Sequence, residues 1–262
     1  MPIICIERVI VAVVDLDAAC TRWSKAGFAV ASKRSSINGL ALARLYAGAI
    51  EIDLVAPVIG GAEIPEPLVS TLERGGGILG WTWGVSDGLI SAGADSPNLP
   101  IADDGSRAIP FAHFLPGVWT GNIVSDGEII TRRANLEKLC GPNENSVDYL
   151  EHIVVMTPSL EDAIAAHEKI GLPCKRVREA GGGVRQAFFK LEQTVLEIVG
   201  PGRGTPGVWG LAFMCNDIRR AVDLARSNGL EATAPKTAIQ GGKIARIVAP
   251  LDGVAIAYME PA

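Results

Sequence analysis

The stretch Ile6–Phe28, IERVIVAVVDLDAACTRWSKAGF, returns at Leu150–Leu172 as LEHIVVMTPSLEDAIAAHEKIGL, 144 positions further on. Glu7 falls on Glu151, Val11 on Val155, Leu16 on Leu160, Lys25 on Lys169 and Gly27 on Gly171. The same offset holds later, where AIEIDLVAP ending at Pro57 falls on QTVLEIVGP ending at Pro201. A single offset kept over roughly fifty residues without a gap marks a duplication.

Each copy reads as the same local structure. The β-branched runs VIVAVV and IVVM predict a strand. A helix start follows at Asp15 or Ser159, with acids in the first turn. The helix carries apolar residues at helical spacing (Leu160, Ala163, Ala166, Ile170) and stops at Gly27 or Gly171. Three short strands come next, the last ended by proline, so the unit is βαβββ. A second kind of unit follows. WGLAFMCNDIRRAVDLARSNGLEATAP reads as strand, N-cap, helix and glycine stop. Its counterpart is GWTWGVSDGLISAGA, 130 positions earlier, with Gly80 on Gly210, Trp83 on Phe213 and Asp87 on Asp217. The helix after Asp87 reads as short and ADSPNLPIADDGS as a loop, which makes this a worn copy. The expected architecture is α+β, four βαβββ units forming two halves, 1–145 and 146–262, that meet in GPNENSVD.

Composition narrows the partners. About half of the 262 residues are apolar and a fifth charged, as in ordinary globular chains. Thirty glycines and sixteen prolines suit short strands with tight turns. The net charge of −5 and a pI near 5.3 argue against nucleic acid or an anionic membrane as partner. The N-terminal apolar run lacks a basic region and a cleavage site, and no stretch is long enough to span a bilayer. The cysteines at 5, 20, 140, 174 and 215 are scattered and form no C-x-x-C pair, as expected of reduced thiols in a cytoplasm. Four units in one chain suit a monomer and a homodimer equally.

The string LEHIVVMTPSLEDAIAAHEKIGL, then LEIVGP, WGLAFMCNDIRRAVDLARSNGL and APLDGVAIAYMEP, resembles the vicinal oxygen chelate superfamily. That superfamily includes glyoxalase I, methylmalonyl-CoA epimerase, extradiol dioxygenases and bleomycin-resistance proteins. The N-terminal half resembles the broader glyoxalase-like domains of the same group. The resemblance implies that paired units form a cupped sheet holding a divalent metal, with ligands from the first and last strands of each unit. Carried onto this sequence, the ligand positions of the C-terminal half are His152, Glu197, Gly210 and Ala257. Two of the four have no donor, and a catalytic metal needs about three protein ligands. No tight metal site is therefore expected, only a weakly held ion on His152 and Glu197 if any. Glu260, three residues beyond Ala257, belongs to the opposite strand face. In the N-terminal half the corresponding residues are Arg8, Asp53 and Gly80, and arginine has no lone pair to offer a metal.

Arg8, Asp53, His152 and Glu197 interrupt apolar strands that read as buried on both faces. Arg8 and Asp53 are expected to form a buried ion pair at the vacated metal position, or else to find partners at strand ends. His152 and Glu197 read as a dyad for proton transfer next to a carbonyl, or as an inherited core pair. Trp81, Trp83, Trp209 and Phe213 are candidates for stacking on a ligand, and Arg185 and Arg246 for gripping a carboxylate or phosphate. Strand packing and exposed faces are their competing roles. Gly75–Gly77 and Gly181–Gly183 read as turns, His113 as a strand residue and His167 as a surface residue of its helix. Two functions follow: an isomerase or lyase working by proton transfer on a small oxygenated or carboxylated metabolite, and a metal-free binding or sequestering protein.

Overall fold

A computed structural model describes residues 3–31, 35–37, 40–58, 66–85, 112–115, 118–124, 129–201, 206–239 and 241–262. The chain begins with β1 (Ile3–Ala12), α1 (Leu16–Lys25), β2 (Ser35–Ile37), β3 (Leu40–Ala47) and β4 (Ile50–Pro57). After α2 (Glu66–Glu73) come β5 (Gly77–Val85), β6 (Ala112–Leu115), β7 (Val118–Val124) and α3 (Ile129–Cys140). The next unit is β8 (Val147–Met156), α4 (Leu160–Lys169), β9 (Arg176–Gly181), β10 (Val184–Leu191) and β11 (Thr194–Gly200). The last is β12 (Gly207–Cys215), α5 (Ile218–Ser227), β13 (Lys236–Thr237), β14 (Lys243–Arg246) and β15 (Ala255–Glu260).

The bounds of β1, α1 and β3 lie 144 positions before those of β8, α4 and β10, and β5 lies 130 before β12. Pairing matches as well: β1 runs parallel to β4 as β8 does to β11, and β3 and β10 each pair antiparallel with the strand that follows. Helix starts depend on side-chain acceptors. Asp15, Ser159 and Asp217 accept from the backbone N–H of Ala18, Asp162 and Arg220. The strands join one α+β mixed sheet with the central order β2-β3-β4-β1-β5-β12-β8-β11-β10-β9, and the halves meet where Ile78 pairs with Val208.

One face of this sheet is covered by α1, α4 and α5. Trp23, Leu45, Leu54, Leu150, Ile153, Phe189 and Phe213 are buried there in one continuous core. The opposite face of the N-terminal half is covered in part by α2, whose Leu68 packs with Ile10, Leu42, Val55 and Leu79. The sequence reading included neither α2 nor α3. In α3 Ile130 and Leu139 are exposed and Leu136 is buried, so no clean apolar stripe announces it. The worn helix after Asp87 and the loop at 94–106 lie outside the described residues.

The halves are locked together at the end of α1. The turn 250–254 puts Asp252 in left-handed geometry (φ 48°), where its carboxylate accepts from Trp23 Nε1 at 3.1 Å and Arg22 Nε at 3.1 Å. The carbonyl of Ala26, an orphan acceptor at the helix end, receives Tyr258 Oη at 2.9 Å and Asn145 Nδ2 at 2.9 Å. Gly27 (φ 84°) takes the helix past its end, and a Cβ there would meet Leu224 Cδ2 at 2.5 Å. The glycine stop is thus also a point of close approach between the halves. Among the described residues no helix is long and apolar enough to cross a membrane.

Candidate functional site

Side chains alternate along β8, β10, β11 and β12, so one face of the C-terminal half collects His152, Val154, Gln186, Phe188, Glu197, Gly210 and Ala212. Register agrees: His152 is level with Val195 and Ala212, and Val154 with Glu197 and Gly210. The part of this face from Val154 to Gly210 and Ala212 floors a cavity of about 540 Å³, whose lining also includes Trp209, Arg246 and Ala257. His152, Gln186, Phe188 and Glu197 lie beyond that lining on the same face. Trp209 stands at its edge with 57 % exposure.

His152 and Glu197 do not form the expected dyad. The Glu151 carboxylate lies against His152 Nδ1, while Glu197 Oε1 accepts from Gln186 Nε2 at 2.5 Å. The register does not forbid the contact, since Arg8 and Asp53 meet across the same diagonal in the N-terminal half. Here each side chain is engaged by another partner instead. Gln186 Oε1 in turn accepts from Arg178 Nε at 3.0 Å, so a hydrogen-bond chain crosses β9, β10 and β11 and fixes the Glu197 carboxyl. Burial pushes the Glu197 pKa up, and the nearby Arg178 guanidinium offsets part of that rise. Burial pushes His152 down to about 4, with the Lys190 charge acting in the same direction, so its imidazole is neutral at pH 7.

The N-terminal half carries charges on the corresponding face. Arg8 Nη1 lies 3.2 Å from Asp53 Oδ2, and a second contact joins Arg8 to Glu51. Arg44 Nε approaches Asp53 Oδ1 at 2.8 Å and Glu51 Oε2 at 3.4 Å. The ion pair of Arg8 and Asp53 is therefore half of a neutral quartet, and the sequence reading missed Arg44 and Glu51. A signal for them existed. A turn at Gly48–Ala49 sets Ala47 opposite Ile50, and counting outward from it sets Arg44 opposite Asp53.

Four candidate ligand contacts land elsewhere. Trp81 and Trp83 are buried in the helix-covered core, where they pack edge to face at 5.4 Å with His167 beyond them. Phe213 is buried in the same core against Phe28, at 4.9 Å. Strand parity explains the error, because these rings share the face of Leu211 rather than that of Gly210. Arg185 reaches Glu161 at the start of α4, also on the helix-covered side. His167 is fully buried rather than on the surface, and its Nδ1 lies 2.7 Å from the Ala163 carbonyl. The side chain of His113 lies outside the described residues. Glu260 takes the face opposite Ala257 and accepts from the Ile218 N–H at 3.0 Å, at the start of α5. Of the candidate ligand contacts, Trp209 and Arg246 line the cavity.

No protein-family model matches the sequence, and no curated protein is significantly similar to it. Solved structures do match. A xylose isomerase-like TIM barrel/4-hydroxyphenylpyruvate dioxygenase fusion protein aligns with a TM-score of 0.64 and 14 % identity, over 98 % of this chain and 49 % of that one. This chain thus spans about half the length of the fusion protein. A triple mutant of 4-hydroxymandelate synthase from Streptomyces coelicolor aligns over 100 % of this chain and 93 % of that one, with a TM-score of 0.62 and 15 % identity. The fold is that of the vicinal oxygen chelate proteins. Methylmalonyl-CoA epimerase from Mycobacterium tuberculosis shares 23 % identity over 45 % of this chain and 90 % of its own, with a TM-score of 0.38.

The metal that the vicinal oxygen chelate fold implies finds no fitting donor set. No group of three or more potential ligands gathers among the described residues. At Gly210, where the resemblance asks for a ligand, a Cβ would stand 2.5 Å from the Ala255 carbonyl oxygen, so this strand spacing admits no side chain. Ala257 offers no donor, and an ion held by His152 and Glu197 alone would fall short of the usual three ligands.

Proposed function

We propose that the C-terminal cup binds a small carboxylated metabolite and moves a proton at the carbon next to its carbonyl, as an isomerase or lyase does, without a metal. The observation that carries this reading is the Glu197 carboxyl. It shares the sheet face of Val154 and Ala212, is held by Gln186, and has its pKa raised by burial. A general base works best when its pKa approaches the ambient pH. Glu197 takes the proton, and Arg178 balances the charge that develops on the substrate oxygen. His152 stays neutral beside it. Its Nδ1 faces a carboxylate, so that nitrogen carries the proton and Nε2 the lone pair.

The mostly aliphatic lining, with Val154, Ala212, Ile244, Ala255 and Ala257, favours the second reading, a binding protein without chemistry. One experiment separates the two. Small 2-oxo carboxylates are incubated with the protein in heavy water, and loss of the C–H signal is followed by proton NMR. For the enzyme, exchange occurs and Glu197→Gln slows it at least ~100-fold while ligand-detected binding persists. Binding by the wild type with no exchange would make it a sequestering protein.

A further inference from the structure

The same face of the sheet is electrically balanced in one half and unbalanced in the other. In the N-terminal half Arg8 and Arg44 meet Glu51 and Asp53, two charges against two. In the C-terminal half Arg176 and Arg178 stand on β9, Lys190 on β10, Lys236 on β13 and Arg246 on β14. Among the described residues none of these five forms an ion pair with a carboxylate. The carboxylates near this face are already engaged by other partners, Glu197 by Gln186 and Glu151 by His152.

The cations form two poles. Arg176 and Arg178 hold their guanidiniums 4.8 and 5.6 Å from the Phe188 ring centroid, which pre-orders both forks on the His152 side. Lys236 and Arg246 line the cavity on its other side. Strands β10, β11, β8, β12 and β15 separate Arg176 and Arg178 from Arg246 in the sheet, and the apolar floor of Val154, Ala212 and Ala257 lies between. Two separated cationic poles over an apolar floor complement a ligand with two acidic ends.

We propose that the C-terminal cup takes a small dianion whose acidic groups, carboxylate or phosphate, flank an apolar middle. Arg176 and Arg178 hold one end, and Lys236 and Arg246 the other. This rests on the reading above that the C-terminal cup is the ligand site, and it adds the class of ligand. Guanidinium pairs with such oxyanions are bidentate and charge-assisted, so each end adds both affinity and orientation.

Calorimetric titration of the whole chain with succinate, glutarate and adipate, beside butyrate, pentanoate and hexanoate, tests it. The diacid of fitting length is expected to bind about 10- to 100-fold more tightly than the monoacid of equal length. Arg176→Gln and Arg246→Gln, both at exposed positions, should each bring the diacid close to the monoacid level. 3-Phosphonopropionate distinguishes the source, since tighter binding than succinate marks a phosphate at one end. Equal affinity for mono- and diacids, variants that bind like the wild type, or no binding by any member would each overturn the dianion. Exchange of a monoanionic 2-oxo acid at the same rate in both variants would overturn it too, while leaving proton transfer standing. Diacid binding without exchange would sustain the dianion and remove the proton transfer.

Discussion

Asp53, at 1 % exposure, serves two arginines at once, and each has Glu51 as its second acid. Charges so deeply placed are tolerable only as a set, because removing one member leaves the others desolvated and unmatched. Asp53→Asn keeps the shape and removes the charge, so it should cost about 3 kcal/mol of stability in chemical denaturation. A loss below roughly 1 kcal/mol would mean that water screens the quartet. Arg8 and Asp53 were legible as odd polar residues in apolar strands. Arg44 was not, because LALARLYA alternates too loosely for one charge to stand out. Of the cations in the C-terminal cup, Arg246 was legible, whereas Arg176 and Arg178 escaped for a related reason: they flank Val177 on an exposed edge strand, which reads as ordinary solvent-facing alternation.

At the scale of the element, α4 shows how a residue type can mislead where a pattern does not. Leu160, Ala163 and His167 occupy i, i+3 and i+7, which is one face of a helix, and all three are buried. The repeat carries the same message, since the counterpart of His167 in α1 is the buried Trp23. Burial pushes His167 down to about 4, against an ordinary value near 6.5. The unfolded chain therefore takes up this proton first as pH falls. Stability is full above about 6.5, declines below it, and levels off below about 4, a swing on the order of 3 kcal/mol. His152 carries a similar shift for a similar reason. His167→Leu should flatten the acid limb of a stability-against-pH curve by about half, as the His152 share remains. An unchanged limb would place the proton uptake elsewhere.

For the whole molecule, the recurrence of strand and helix bounds at offsets of 144 and 130 was legible because the sequence pattern itself reports strand, cap, helix and stop. The order in which the halves join one sheet was not legible. A single level of contact, Ile78 with Val208, makes that junction, and no local sequence feature encodes it. The turn that bears Asp252 likewise looks in sequence like any L-D-G turn. In the fold it has two sides: Ile247 and Val248 just before it, with its first residue Pro250, line the cavity, while Asp252 is held by Arg22 and Trp23 of α1.

A segment shared in this way ties two equilibria into one. Whatever steadies the cavity wall also steadies the seam behind it, and by thermodynamic reciprocity whatever loosens the seam weakens occupancy of the cup by the same factor. A diacid that binds should thus slow amide hydrogen exchange in α1, a helix that never touches the ligand. Asp252→Asn should abolish that slowing and lower affinity together, and a change in one without the other would show that the wall and the seam move independently.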